Sequence, residues 1–183
     1  MVENKQLSDD VIEQIKDFNH WELTEEQESL INELIIDEEL KRRYKKYGLC
    51  NECKQHKNSW FWCQLCNPKH FQRNFKNWSS GNDDVDKLIQ KAQLNAKGEK
   101  DVLEWIEHDR FENIEYLAKG GFGTVYKAIW KDGYIREWDY KKNNQWERIG
   151  EIDVALKCLH NSQDITAEFL KEVRDFFCSI NLL

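Results

Sequence analysis

Apolar residues recur at helical intervals through the first half of the chain and alternate through much of the second. Val11, Ile12, Ile15 and Phe18 fall on one face, which predicts a short helix from Ser8 to about Phe18. Asp9 and Asp10 suit its positive N-terminal end. Thr24-Glu25-Glu26-Gln27 has the pattern of a capping box. Leu30, Ile31, Leu34, Ile35 and Leu40 then continue one face, so a single longer helix reaching about Tyr44 is expected. Its late basic run, Lys41, Arg42, Arg43, Lys45 and Lys46, reads as a solvated helix end favoured by the macrodipole rather than a nucleic-acid or lipid patch. Gly48 is placed to stop the helix.

After Pro68, Phe71, Phe75 and Trp78 recur at helical spacing until Ser79-Ser80-Gly81-Asn82 breaks the pattern. Asp83 or Asp84 is expected to cap a further helix bearing Val85, Leu88, Ile89 and Ala92. The polar stretch from Asn95 to Asp101 marks a soft boundary. Beyond it, Phe111 to Leu117 alternates as a strand, and Thr124 to Trp130 reads as the returning strand. Asp132-Gly133 is a hairpin turn signal. Tyr134 to Tyr140 and Gln145 to Ile149 read as an additional hairpin, and Glu151 to Leu159 as one more strand. Thr166 is placed to cap a last helix with Phe169, Val173 and Phe176 on one face.

Composition narrows the class. A length of 183 residues suffices for a buried core, and a third of the residues are charged. The net charge of -7 argues against nucleic-acid binding as the main task. No apolar run approaches a membrane span and no signal-peptide core follows Met1, so a reducing cytoplasmic or nuclear compartment is the expectation. The six cysteines then read as thiols or metal ligands rather than disulfides.

Four of them carry a specific pattern: Cys50-Asn51-Glu52-Cys53, nine residues, then Cys63-Gln64-Leu65-Cys66. Each pair makes a knuckle that aims two thiolates at one ion, and two knuckles complete a tetrahedral zinc site with no open position. The site is therefore read as a structural staple, in a hairpin-like ribbon with Ser59 to Trp62 as its second strand. His56 and His70 are nearby alternative ligands, and a redox pair is the minor alternative reading.

The remaining signal is a glycine-rich turn. Leu117-Ala118-Lys119-Gly120-Gly121-Phe122-Gly123-Thr124-Val125-Tyr126-Lys127-Ala128 is followed by Val154-Ala155-Leu156-Lys157 and by Glu168-Phe169-Leu170-Lys171-Glu172-Val173. Glycines let a strand-turn-strand fold over phosphates with backbone N–H groups close. A lysine on a neighbouring strand adds a point charge, and a glutamate on a packed helix holds it. In this order the three motifs resemble the N-terminal lobe of a eukaryotic protein kinase, over about Phe111 to Val173. With the upstream cysteines and tryptophans, the chain is also similar to kinase-like proteins expanded in some fungi.

The resemblance implies an ATP site. Leu117, Ala118, Lys119, Gly120, Gly121, Phe122 and Gly123 would form the covering loop, and Leu117, Val125 and Ala155 would sandwich the adenine. Lys157 would contact the α- and β-phosphates, paired with Glu172, or with Glu168 one turn earlier. The implied activity is ATP-dependent phosphorylation of protein Ser, Thr or Tyr, with Mg²⁺. Ala118 replaces the family's first glycine, and the gap from Ala128 to Val154 is long. His108-Asp109-Arg110 and Asp175-Phe176-Phe177 only mimic catalytic motifs, since both stand in the wrong order. The sequence ends before any catalytic or metal-binding aspartate, which gives the expectation of no phosphotransfer by this chain alone.

The expected architecture is α+β: a helical segment (1–48), a zinc ribbon (49–68), a helical linker (69–101) and a partial kinase N-lobe (102–183) of antiparallel sheet plus one helix. The expected ligands are ATP and structural zinc, with a protein substrate or partner and neither membrane nor specific nucleic acid. The rival expectation is a zinc-ribbon scaffold that binds partners and no nucleotide.

Overall fold

Side-chain caps set where several of the helices begin. In the computed structural model, which describes residues 5–121, 123–141 and 144–159, the chain is α+β, with helices first and antiparallel strands after. Helix α1 (Asp9–Ile15) opens with its two aspartates. Helix α2 (Glu25–Leu34) is held by the full capping box, the Thr24 side chain accepting from the Gln27 N–H while the Gln27 side chain returns to Thr24.

The expected single helix to Tyr44 is instead two. Ile35 leaves the helix with an extended ψ of 94, and Asp37 accepts from the Glu39 and Leu40 N–H groups to cap α3 (Glu38–Tyr47). Two β-branched residues followed by a strong cap outweigh continuity of the apolar face. The break lets α3 fold back, so Leu7, Ile12, Ile15, Ile31, Ile35, Leu40 and Tyr44 form one core. Gly48 ends α3 at a φ of +70, and a Cβ there would run into the His20 ring.

Helix α4 (Asn67–Asn74) starts at the last knuckle and carries Pro68 in its first turn. Trp78 does not extend it: the chain tightens into a 3₁₀ turn at Phe75–Asn77, and Trp78 is extended. Helix α5 (Asp83–Asn95) is capped by Asn82 rather than by either aspartate, its side chain accepting from the Asp84 and Val85 N–H groups. The aspartates occupy the first turn, where they complement the dipole.

The strands form two sheets. In the first, β1 (Phe111–Gly120), β2 (Gly123–Trp130) and β5 (Ile152–Leu159) lie antiparallel in the order β1-β2-β5. The second is a hairpin of β3 (Ile135–Asp139) and β4 (Gln145–Arg148), inserted between β2 and β5. Asp132-Gly133 is therefore a corner between sheets, not the hairpin turn its sequence suggests, because β3 pairs with β4 rather than with β2. At the base of the insertion the Gly150 N–H donates to the Asp132 carbonyl at 3.0 Å, and the Ile149 N–H to Tyr134 at 3.2 Å. Gly133, at a φ of +63, passes so close that a Cβ would overlap the Gly150 carbonyl. This pinch returns the chain beside its exit point, so β5 pairs with β2 as though the hairpin were absent.

The hairpin packs against the cysteine knuckles and their helices. Trp62 is fully buried with Phe71, Ala96 and Ile135, and Phe75, Val102 and Trp146 close the cluster. The Trp62 indole N–H donates to the Ala96 carbonyl at 3.1 Å, satisfying its one polar atom. Arg148 of β4 pairs with Glu104 and donates to the Gly133 carbonyl. Burial pushes the Glu104 carboxyl above its ordinary range, opposed by the Arg148 guanidinium. Among the described residues, no helix is long and apolar enough to cross a membrane.

Candidate metal centre and glycine-turn sheet

The two C-x-x-C pairs are built by different local structures. The first sits in a turn closed by the Cys50 N–H donating to the Gln55 carbonyl at 2.7 Å and the Lys54 N–H returning to Cys50 at 2.9 Å. Lys54 takes a φ of +60 to make that turn. In the second, the Cys66 and Asn67 N–H groups both donate to the Cys63 carbonyl, and Cys66 becomes the residue from which α4 grows. Single bridges join Leu49 to His56, across the first knuckle, and Ser59 to Trp62, between the two. Ser59 to Trp62 is thus a tight reversal rather than the expected ribbon strand. Paired as a strand, it could not deliver Trp62 inward while leaving Trp60 and Phe61 exposed.

The four sulfurs all lie within 4.8 Å of one another. Cys50 to Cys66 is 3.9 Å and Cys53 to Cys63 is 3.5 Å. A tetrahedral ion with metal–sulfur bonds of about 2.3 Å places its ligands about 3.8 Å apart, so the cluster has the right size to hold a structural metal ion. The four thiols shift one another's ionisation. Contacts from Cys53, Cys63 and Cys66 hold the Cys50 thiol far below the usual range, while Cys50 pushes Cys63 and Cys66 far above it. A divalent cation held at this spacing would favour the thiolate form of all four.

Neither histidine is part of the cluster. His70 is buried, its Nε2 lies 2.8 Å from Glu52, and its ring stacks on Trp138 at 3.8 Å. It thereby ties the first knuckle to α4 and to the hairpin. His56 is buried beside Arg43, and burial lowers its pKa. Sequence reasoning also passed over Gln55. Its side chain accepts from the Leu7 N–H and donates to the Leu7 carbonyl, both at 2.8 Å, latching the helical segment to the knuckle. A glutamine one position past a knuckle's reverse turn is the only sequence signal for this contact.

The glycine turn lies between β1 and β2, closed by the Gly120–Gly123 pair. Val125 pairs with Lys157, Lys127 with Ala155, and Ala118 with Val125. Directly opposed residues project to the same side, so Ala118, Val125, Ala155 and Lys157 share one face. Leu117 is the extra residue of a bulge between Tyr116 and Ala118, and it is exposed, as is Lys119. A Cβ on Gly121 would meet nothing within 4 Å, one on Gly120 only the Gly123 carbonyl at 3.9 Å, and neither has a left-handed φ. Along β5 the face of Ala155 and Lys157 is exposed, and that of Ile152, Val154 and Leu156 is half-buried. Phe122, Glu168, Glu172 and the helix expected after Thr166 lie outside the described residues.

Comparison with protein-family models, with curated proteins and with solved structures finds no match.

Proposed function

We propose that this chain is a zinc-stapled module joined to a protein-kinase-like nucleotide-binding sheet. Zinc is favoured for the centre by the donor set, since four thiolates at tetrahedral spacing suit a soft-tolerant, redox-inert dication. Cys50, Cys53, Cys63 and Cys66 would hold it, and it would supply folding energy rather than catalysis.

The observation that carries the nucleotide reading is the shared face of Val125, Ala155 and Lys157 beside the glycine turn. Two small or branched apolar side chains next to the Lys157 ammonium suit a flat base and its phosphates, and Lys127, on the same face, is paired with Asp153 at 3.3 Å. The two glycines with open space around them add to this. Neither positive φ nor crowding accounts for Gly120 and Gly121, and the nucleotide reading gives them a use in the close approach of a phosphate. The implied family activity is transfer of the ATP γ-phosphoryl group to a protein hydroxyl, with Lys157 orienting the α- and β-phosphates.

Calorimetric titration of the zinc-loaded chain with MgATP tests the nucleotide reading. Saturable binding, weakened at least tenfold by Lys157→Met, is expected. A second reading, a partner-binding scaffold without nucleotide affinity, draws on the exposed Trp21–Trp60 stack beside the knuckles. Absent binding, or binding indifferent to Lys157→Met, selects that reading instead.

A further inference from the structure

A small cavity opens where the metal knuckles meet the inserted hairpin, with aromatic walls beside the cysteine cluster. Trp60 and Phe61 come from the reversal between the knuckles, and Trp138 and Tyr140 from β3 and its end. Two carboxylates, Glu52 and Glu137, stand beside them, and Cys50, Cys63 and Cys66 of the cysteine cluster form the floor with Asn51, Lys57 and Asn67. The volume of about 60 Å³ suits a head group rather than a whole cofactor, for which about 300–1,000 Å³ is usual.

Three of the four rings are braced by neighbours. Trp60 stacks on Trp21 at 4.6 Å and meets the Tyr47 edge at 5.3 Å. Trp138 lies flat on His70, whose other side is held by Glu52. Phe61 already carries a cation, the Arg136 guanidinium 4.5 Å from its ring centre. The cavity is therefore preformed, and aromatic faces with nearby carboxylates attract positive charge.

Two further features lack an explanation within the fold. Glu137 and Glu147 stand directly opposite each other across β3 and β4, a like-charge pairing that costs stability. Burial, then repulsion from Glu147, pushes the Glu137 carboxyl above its usual range. The Asn67 side chain, 3% exposed and lining the same cavity, has an amide nitrogen with no hydrogen-bond partner among the described residues. Lys57 is the one cation in the lining, and its ammonium donates to the Trp60 carbonyl at 3.2 Å.

We infer that this cavity binds an alkylammonium group presented by a peptide, with Trp60, Phe61, Trp138 and Tyr140 as the aromatic walls and Glu52 and Glu137 as counter-charges. The Asn67 amide donates to a carbonyl of the same peptide. Binding is non-covalent and does not depend on the nucleotide reading of the sheet.

The test is a calorimetric or tryptophan-fluorescence titration of the full zinc-loaded chain with four versions of one ten-residue peptide containing a single lysine. In one the N-terminus is acetylated and the lysine free. In the second the lysine is also trimethylated. In the third the N-terminus is free and the lysine acetylated, and in the fourth both are acetylated. At least one charged form should bind tenfold or more tighter than the doubly acetylated form. Which one does so identifies a side-chain or a terminal amine. Glu137→Gln should weaken that binding about fivefold to tenfold without lowering the thermal midpoint, because it removes a repulsion, and Trp60→Ala should weaken it as much or more. Equal affinity for all four peptides, or no binding by any, overturns the proposal. Retained affinity in both variants overturns it too.

Discussion

Trp62, the residue before the third cysteine, lies stacked 6.0 Å from Trp146 of the inserted hairpin, with interplanar angle 13°. Phe71 approaches the same indole at 4.4 Å. The hairpin that interrupts the sheet between Ala128 and Val154 is thus seated on the cysteine knuckles. Trp62→Ala should cost about 3–5 kcal/mol, the usual range for emptying a large aromatic site. Urea unfolding measures the loss, and hydrogen exchange should show β3 and β4 losing protection along with the knuckles.

Metal removal should act in the same place. Structural zinc contributes on the order of 10–16 kcal/mol to small cysteine modules. Treatment with a strong chelator is expected to expose Trp62, red-shifting tryptophan emission. Restoring zinc should reverse the shift, whereas magnesium should not, because thiolates are poor ligands for a hard cation.

The pinch at the base of the hairpin gives a contrast between two glycines. Gly133 and Gly150 both have left-handed φ values, +63 and +83, but only Gly133 is crowded. Gly150→Ala should cost about 1 kcal/mol from backbone strain alone. Gly133→Ala should cost clearly more, since the new methyl group overlaps the Gly150 carbonyl. Thermal midpoints of the two variants, measured side by side, check the order.

Alkaline pH should loosen the N-terminal helices first. Tyr44 is buried, its hydroxyl donates to the Ile15 carbonyl at 3.1 Å, and burial pushes its pKa up to about 12. The unfolded tyrosine ionises near 10, so the protonated form is favoured by folding. That stability is complete below about pH 10 and is lost as pH rises towards 12. Tyr44→Phe should remove this step from the pH profile of stability, at a cost of about 1 kcal/mol near neutrality.

The sequence exposed the local devices and hid the long-range ones. The Thr24 capping box, the four cysteines, the glycine turn and the extra hairpin each rest on a few adjacent residues, and each appears where expected. The break at Ile35 to Asp37 was masked because Ile35 and Leu40 stay apolar on both sides of it, and both reach the same core. Asn82 was hidden by the two aspartates after it, which satisfy the dipole while Asn82 makes the cap. The seating of Trp138 and Trp146 on His70, Trp62 and Phe71 joins residues far apart in the chain, and no spacing rule encodes it.

The four-cysteine centre underlies both the seat of the hairpin and the floor of the aromatic cavity. Elemental analysis of the purified chain, beside Cys63→Ser, tests it most directly. One equivalent of zinc is expected for the unaltered chain, with a clear loss in the variant. Zinc-free protein that keeps its fold, or an unchanged one-to-one content after Cys63→Ser, would contradict the centre described.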